Sequence, residues 1–326
     1  MTIDQHIAAG IDLGSNTFRL LVASRTAENL KILEKRLVTV RLGRGLAENQ
    51  ILQKHAMAKG LDVLGSFRKI LDHYQPQSFR VCGTEALRLA KNSFQFLQKA
   101  EKILQNKIDI ISGEEEAHIS LAGALSGWEE NLADSILLVD VGGGSTEFIH
   151  AYIPSGQTQV ASLSLGVVSL TERYLDASRP ELDALDEEIA QILSNCLKKL
   201  AFPGQPAAAR IIGCGGTATS MAALDLGLTA YSDVVHGHIL TSKSMENLWR
   251  RLIVLPAEKR NELHCLEDGR GEILPAGVRI YQLLLQQMQV GEIKVSDTGL
   301  LEGILLSSFQ DISSMNSSAH IFTPKN

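Results

Sequence analysis

Positive charge is scarce in this sequence. Of its 326 residues, 31 are Lys or Arg and 37 are Asp or Glu, a formal net charge of −6. A dedicated nucleic-acid binder is more often basic, so no nucleic-acid partner is expected. A polyanionic ligand would have to be held by a local site, not by the field of the whole molecule. Cysteine is scarce as well. Cys82, Cys196, Cys214 and Cys265 form no C-x-x-C pair, which leaves neither a zinc knuckle nor a redox dithiol and suggests buried free thiols in a reducing compartment. No run approaches the ~18 apolar residues of a membrane span. The opening Met1-Thr2-Ile3-Asp4-Gln5-His6 lacks the basic segment and apolar run of a signal peptide. The expectation is a cytoplasmic protein with no membrane association.

What is present is ordinary globular material, 44% hydrophobic and 21% charged, too apolar for disorder. At roughly 100–200 residues per domain, the length suggests two domains. An apolar run through Ile11 meets Asp12-Leu13-Gly14-Ser15-Asn16-Thr17 and resumes as Phe18–Ala23, which reads as strand, tight turn and strand. The pattern returns with Ile136–Val139, Asp140-Val141-Gly142-Gly143-Gly144-Ser145-Thr146-Glu147 and Phe148–Ala151. Asp12 and Asp140 stand 128 residues apart, as do Gly14 and Gly142. A repeat that long suggests two similar domains and not a solenoid. Between and after these hairpins, apolar residues at helical spacing (Leu64, Phe67, Leu71; Leu185, Ile189, Leu193) alternate with short strand-like runs. The stretch 86–105 reads as mainly helical, and helices are expected to dominate from 215 to a strand near Ile293. The class is α/β or α+β in two lobes.

Three glycine-rich loops follow predicted strands: 12–17, 140–147 and 213–217. Glycine lets backbone approach a ligand without a Cβ in the way. Successive N–H groups in such turns form an anion-binding concavity, with Ser and Thr hydroxyls adding donors. A tight turn alone also explains any one of them. None spells the P-loop G-x-x-x-x-G-K-[ST] or the dinucleotide G-x-G-x-x-G. Carboxylates cluster at the same loops. Asp12, Asp140 and Glu147 beside phosphate would need a cation, and Mg²⁺ is commonly held by one or two carboxylates with phosphate oxygens and water; hydrogen bonding to the turn backbone is the alternative for the two aspartates. Gly113-Glu114-Glu115-Glu116-Ala117-His118 places three acids at a helix start, favoured by the helix dipole alone yet suited to supply a general base. Arg19, Arg41, Arg44, Arg88 and Arg270 are candidate phosphate donors, or solvated surface residues. His236-Gly237-His238 has H-x-H spacing without a third zinc ligand.

Together these segments resemble the exopolyphosphatase / guanosine pentaphosphate phosphohydrolase (Ppx/GppA) family, within the acetate and sugar kinase, heat-shock ATPase and actin superfamily. The resemblance runs over about residues 8–308. It rests on Ile11–Leu20, Gly83-Thr84-Glu85-Ala86-Leu87-Arg88, Ile111–Ala117, Val139–Phe148, Ser164–Val168, Gly213–Ala218, His236–Thr241 and Arg270–Gly277. It implies an α/β fold of two ribonuclease-H-like (actin-like ATPase) domains, over 1–125 and 126–298, with an active-site cleft between them. A last helix over 299–309 would pack back on the first domain, followed by a frayed tail over 310–326. It also implies Glu116 as catalytic base and Asp140 and Glu147 as metal holders. Asp12, Gly14, Ser15, Asn16, Thr17, Arg19, Arg88, Gly142, Gly143, Gly144, Ser145, Thr146, Gly215, Gly216, Thr217 and Arg270 would bind substrate phosphates. The run carries one Glu more than the family's usual pair, so Glu115 could share the role of Glu116.

The implied activity is Mg²⁺-dependent release of the terminal phosphate from inorganic polyphosphate or guanosine pentaphosphate. Two other readings stay open: a small-molecule kinase with an adenosine site at Gly213–Thr217, and a non-catalytic regulator that binds guanosine tetra- or pentaphosphate. The oligomeric state, a homodimer included, is not specified by the sequence.

Overall fold

A computed structural model describes residues 6–26, 30–126, 135–152, 157–175, 180–200 and 210–309. The tail expected to fray, 310–326, lies outside the described residues. In chain order come β1 (His6–Leu13), β2 (Thr17–Arg25), β3 (Leu30–Thr39), α1 (Leu46–Asn49), α2 (Lys54–Tyr74) and β4 (Ser78–Gly83). Next are α3 (Glu85–Leu89), α4 (Ser93–Leu104), β5 (Asp109–Ile110) and α5 (Gly113–Ser126). The second half continues with β6 (Ser135–Val141), β7 (Thr146–Tyr152), β8 (Gln157–Leu163), α6 (Val167–Leu170), α7 (Leu182–Lys199), β9 (Arg210–Cys214) and α8 (Gly215–Asp225). It closes with β10 (Ile239–Thr241), α9 (Ser242–Ile253), α10 (Ala257–Asn261), α11 (Arg270–Met288), β11 (Glu292–Val295) and α12 (Leu300–Ser308).

Two compact units result. The first holds the residues up to Gly123 and those from Leu300 onward, and the second runs from Ala124 to Gly299. The first unit's sheet has the order β3-β2-β1-β4-β5, with β1–β2 and β2–β3 antiparallel and β1–β4 and β4–β5 parallel. The second unit's sheet is β8-β7-β6-β9-β11-β10 with the same directions through β11 and one antiparallel strand added at the edge. This ribonuclease-H-like order, repeated, is what the doubled Asp-x-Gly hairpin encodes.

The central strand β1 is buried from Ala8 to Leu13, because helices cover both faces of its sheet and leave no position for a polar alternate. Successive side chains point to opposite faces. Ala9, Ile11 and Leu13 therefore pack with Leu64, Phe67 and Leu71 of α2 and Phe96 of α4. Ala8 joins Leu21 and Ala23 under Leu301 and Leu305 of α12. The last helix is thus a structural part of the first sheet. In the second unit, Leu137, Val139 and Phe148 pack with Leu185, Ile189 and Leu193 of α7 and with Tyr281 and Leu284 of α11.

Two expectations hold, each with a short interruption. The helical stretch over 86–105 is two helices, broken at Ala90–Asn92, where the Asn92 side chain accepts from Leu52 N at 2.8 Å and donates to Leu52 O at 3.0 Å. That tertiary pairing overrides helix propensity. The stretch before Ile293 holds the three-residue strand β10, paired to β11. Among the described residues no helix is long and apolar enough to cross a membrane.

Leu305, 1% exposed, covers β1 from α12. Leu305→Ala is expected to cost about 2–5 kcal/mol, measured as the shift in a urea unfolding curve.

Candidate functional site

In the first unit, the β1–β2 register sets Asp12 opposite Arg19. The guanidinium holds the carboxylate through Nη2 at 2.6 Å and Nε at 2.7 Å, both to Oδ2. Burial pushes the Asp12 carboxyl above the ordinary carboxylate range, Arg19 pulls it down, and Glu302 of α12 adds to the rise. Its other oxygen, Oδ1, is buried with no hydrogen-bond partner among the described residues. The turn between the strands closes with Gly14 N donating to Thr17 O at 3.1 Å. Its carbonyls are taken by the next loop. Ser15 O accepts from Gly43 N at 2.8 Å, and Asn16 O accepts from Val40 N at 2.9 Å and Arg41 N at 2.8 Å. Asn16 Nδ2 is a buried donor without a hydrogen-bond partner among the described residues. Arg41 sits at positive φ within that bracing loop and Arg44 closes its turn.

The acids of α5 differ sharply in setting. Ser112 caps the helix, its Oγ accepting from Glu115 N at 3.1 Å and its carbonyl from Glu116 N at 2.9 Å. Glu115 is half-buried and pairs with Arg80 at 2.8 Å, which also holds Asp109 at 3.0 Å. Glu116 is buried, and Arg88 Nη1 stands 3.5 Å from its Oε2 while donating to Ile111 O at 2.6 Å. Glu115 belongs to a surface ion-pair chain; Glu116 is the shielded carboxylate beside an arginine.

A second buried acid was not singled out in the sequence. Glu85 opens α3, is 7% exposed, and has its carboxyl pushed up to about 7 by burial, with Arg88 pulling the other way. The signal was its place three residues before Arg88 in Gly83–Arg88.

In the second unit, Asp140 and Glu147 occupy the positions of Asp12 and Arg19 in the repeat and face each other across β6 and β7. Both are buried. Ser162 Oγ of β8 donates to Glu147 Oε1 at 2.9 Å. The turn repeats the first, with Gly142 N donating to Ser145 O at 2.8 Å. The 165–168 segment braces it: Val167 N donates to Gly142 O at 3.1 Å and Val168 N to Gly143 O at 2.8 Å. Only glycine fits at 166, where a Cβ would lie 2.2 Å from Gly144 backbone. Thr146 Oγ1 donates to Leu165 O.

The third loop meets the same turn. Gly215 has φ +77°, and a Cβ there would stand 2.2 Å from Asp140 Oδ1, so the carboxylate lies directly on the start of α8. Thr217 Oγ1 donates to Val141 O at 2.7 Å. Arg270, buried, has its guanidinium against Gly216 and is tethered to Glu267 at 2.8 Å, and its Nε has no hydrogen-bond partner among the described residues. Glu267 is a second residue the sequence reading missed; its spacing of three from Arg270 was the available sign.

The structure therefore joins Asp12 with Arg19 and Arg88 with Glu116 in one unit. In the other it gathers Asp140, Glu147, the 142–146 turn, Gly215–Thr217 and Arg270. His236 and His238 go to different partners: His236 Nδ1 accepts from Asp297 N at 3.2 Å, and His238 Nε2 pairs with Asp225 at 2.8 Å. No group of three or more His, Cys, Asp or Glu is placed to hold a metal among the described residues. Two opposed carboxylates are what the second unit offers. Like charges directly opposite on a hairpin are destabilising, and their hard oxygens suit Mg²⁺ completed by phosphate oxygens and water. The donor set fits such an ion.

A model of the Ppx/GppA phosphatase family matches residues 21–311. Among solved structures, the chain is similar to an exopolyphosphatase-like protein, with 28% identity and a TM-score of 0.85 over 93% of this chain and 98% of that one. It is similar to a Ppx/GppA family member from Aquifex aeolicus, with 30% identity and a TM-score of 0.75 over 94% and 98%. In fold it also matches an exopolyphosphatase from Cytophaga hutchinsonii, with 23% identity and a TM-score of 0.84 over 93% and 97%.

Glu85 makes a prediction about stability. A carboxyl raised from 4.5 to about 7 on folding binds its proton more tightly in the native state. Its contribution is full below the unfolded value and is lost as pH rises to about 7, on the order of 3 kcal/mol in all. Glu85→Gln is therefore expected to gain stability over the wild type between about pH 5 and pH 8, read as a widening difference in melting temperature. A constant difference would contradict the burial argument.

Proposed function

The chain belongs to the Ppx/GppA phosphatase family, and from that premise we propose that it hydrolyses the terminal phosphoanhydride of inorganic polyphosphate or guanosine pentaphosphate. The observation that carries the reading is the buried Asp140–Glu147 pair, set beside a glycine turn and a glycine-started helix. That arrangement repels a polyphosphate unless a divalent cation lies between, and it supplies the oxygens to hold one.

Asp140 and Glu147 hold Mg²⁺ in this reading. When bound, the ion neutralises charge on the phosphate oxygens. The protein does the rest by positioning and electrostatics, as is general for phosphoryl transfer. The turns at 12–17 and 142–146 and the start of α8 present backbone N–H groups to phosphate oxygens. Arg19, Arg88 and Arg270 contribute charge-assisted hydrogen bonds. Glu116 takes a proton from the attacking water as its oxygen bonds to phosphorus and the bridging P–O bond breaks, so that orthophosphate leaves with the shortened chain as the other product. Burial supports Glu116 for this role over Glu115, whose carboxylate is committed to Arg80.

Removing a general base costs ~10²–10⁴ in rate. Phosphate release is to be measured with Mg²⁺ on long polyphosphate, short polyphosphate and guanosine pentaphosphate. Glu116→Gln is expected to lose turnover by that factor with KM nearly unchanged, while Glu115→Gln keeps wild-type kcat. The reverse pattern would move the base to Glu115, and no release from any substrate would overturn the hydrolase reading.

A further inference from the structure

The polar line of the second unit's hairpin runs one strand beyond Asp140 and Glu147. β6, β7 and β8 are neighbours in the sheet, and the antiparallel register sets Asp140 opposite Glu147 and Glu147 opposite Ser162. Side chains directly across neighbouring strands share a face, so the three residues lie in one line across the sheet. The adjacent line, Val139, Phe148 and Ala161, packs in the core, and alternation along the strands turns the polar line to the opposite face. Ser162 is exposed on the edge strand and Glu147 is buried. The Ser162 hydroxyl donates to Glu147 Oε1 at 2.9 Å.

The first unit provides an internal comparison. Its equivalent line is Asp12, Arg19 and Leu37, set by the same pairing of the same three strands. There the arginine donates to Asp12 at 2.6 Å, and the edge strand supplies a side chain with no donor. Two positions of the line therefore change together. Where the middle residue is a cation, the edge residue is apolar; where the middle residue is a carboxylate, the edge residue is a hydroxyl donor. A hydrogen bond donated to a carboxylate is charge-assisted and directional, so it selects one orientation of the Glu147 terminal group beside Asp140.

We propose that Ser162 is a positioning residue for Glu147, fixing the orientation in which that carboxylate meets a divalent cation. This deepens the phosphohydrolase reading and rests on it through the cation assigned there to Asp140 and Glu147. Ser162 does not itself hold the ion; it acts through the carboxylate it bonds. Groups that orient a metal-holding side chain contribute to affinity in their own right, and losing one costs about 10–100-fold.

The test is calorimetric titration of Mg²⁺, with orthophosphate present, into the wild type, Ser162→Ala, Ser162→Thr and Glu147→Gln. Melting temperatures are taken for each protein with and without the ion. Ser162→Ala is expected to bind Mg²⁺ about 10–100-fold more weakly than the wild type. Ser162→Thr keeps the hydroxyl on a residue that strands favour and is expected to stay near the wild type. Glu147→Gln, which alters the holding group itself, is expected to bind at least as weakly as Ser162→Ala. In phosphate release, the loss in Ser162→Ala appears as a higher Mg²⁺ requirement and is recovered at saturating Mg²⁺. Wild-type affinity in Ser162→Ala, with Glu147→Gln still weakened, would overturn the role of Ser162 whether or not its melting temperature falls, and would leave the hydrolase reading standing. Wild-type affinity in Glu147→Gln would remove Glu147 from the cation and Ser162 with it.

Discussion

Each unit is organised around an aspartate at the end of its central strand, and the two differ in the residue that faces it across the hairpin. In the first unit it is Arg19, and the pair neutralises itself at 2.6 Å. In the second it is Glu147, and the register holds two buried carboxylates opposite each other. The backbone is otherwise the same, down to the Gly14–Thr17 and Gly142–Ser145 closing bonds. A single change of charge at an equivalent position therefore gives one hairpin a closed ion pair and the other two opposed buried carboxylates, the pair proposed to hold a cation. The bracing of the second turn by Val167 and Val168, and the packing of Gly215 on Asp140, hold that pair in place.

The chemistry proposed for Glu116 depends on a different kind of partition. Three consecutive glutamates start α5, and the helix rotates each to a different surrounding. Arg80 takes Glu115 at the surface, while Glu116 turns inward beside Arg88. A low-dielectric setting strengthens every charge interaction it makes. It also accounts for Glu85, whose carboxyl lacks the hydrogen bonds that a buried acid usually has and is pushed up to about 7.

Much of this was legible in the sequence because it depends on local pattern. The Asp-x-Gly turns, their shared offset and the apolar runs around them specify two hairpins and two sheets of one topology. What stayed hidden depends on distant partners. The break between α3 and α4 is held by Asn92 reaching Leu52, and no periodicity reports that. β10 is three residues long and exists because β11 pairs with it. Glu115 and Glu116 are indistinguishable as letters; burial separates them. Glu85 and Glu267 carry no signal of their own in the sequence beyond a spacing of three from Arg88 and Arg270.

The central claim is that Glu147, standing where the first unit has Arg19, makes the second hairpin a cation site. It is tested most directly by melting temperature, with and without Mg²⁺ in the presence of orthophosphate, for the wild type and Glu147→Arg. The account predicts that Mg²⁺ stabilises the wild type, and that the variant is the more stable of the two without Mg²⁺ and does not respond to it. A wild type indifferent to Mg²⁺, with a variant less stable than it in both conditions, would contradict the account.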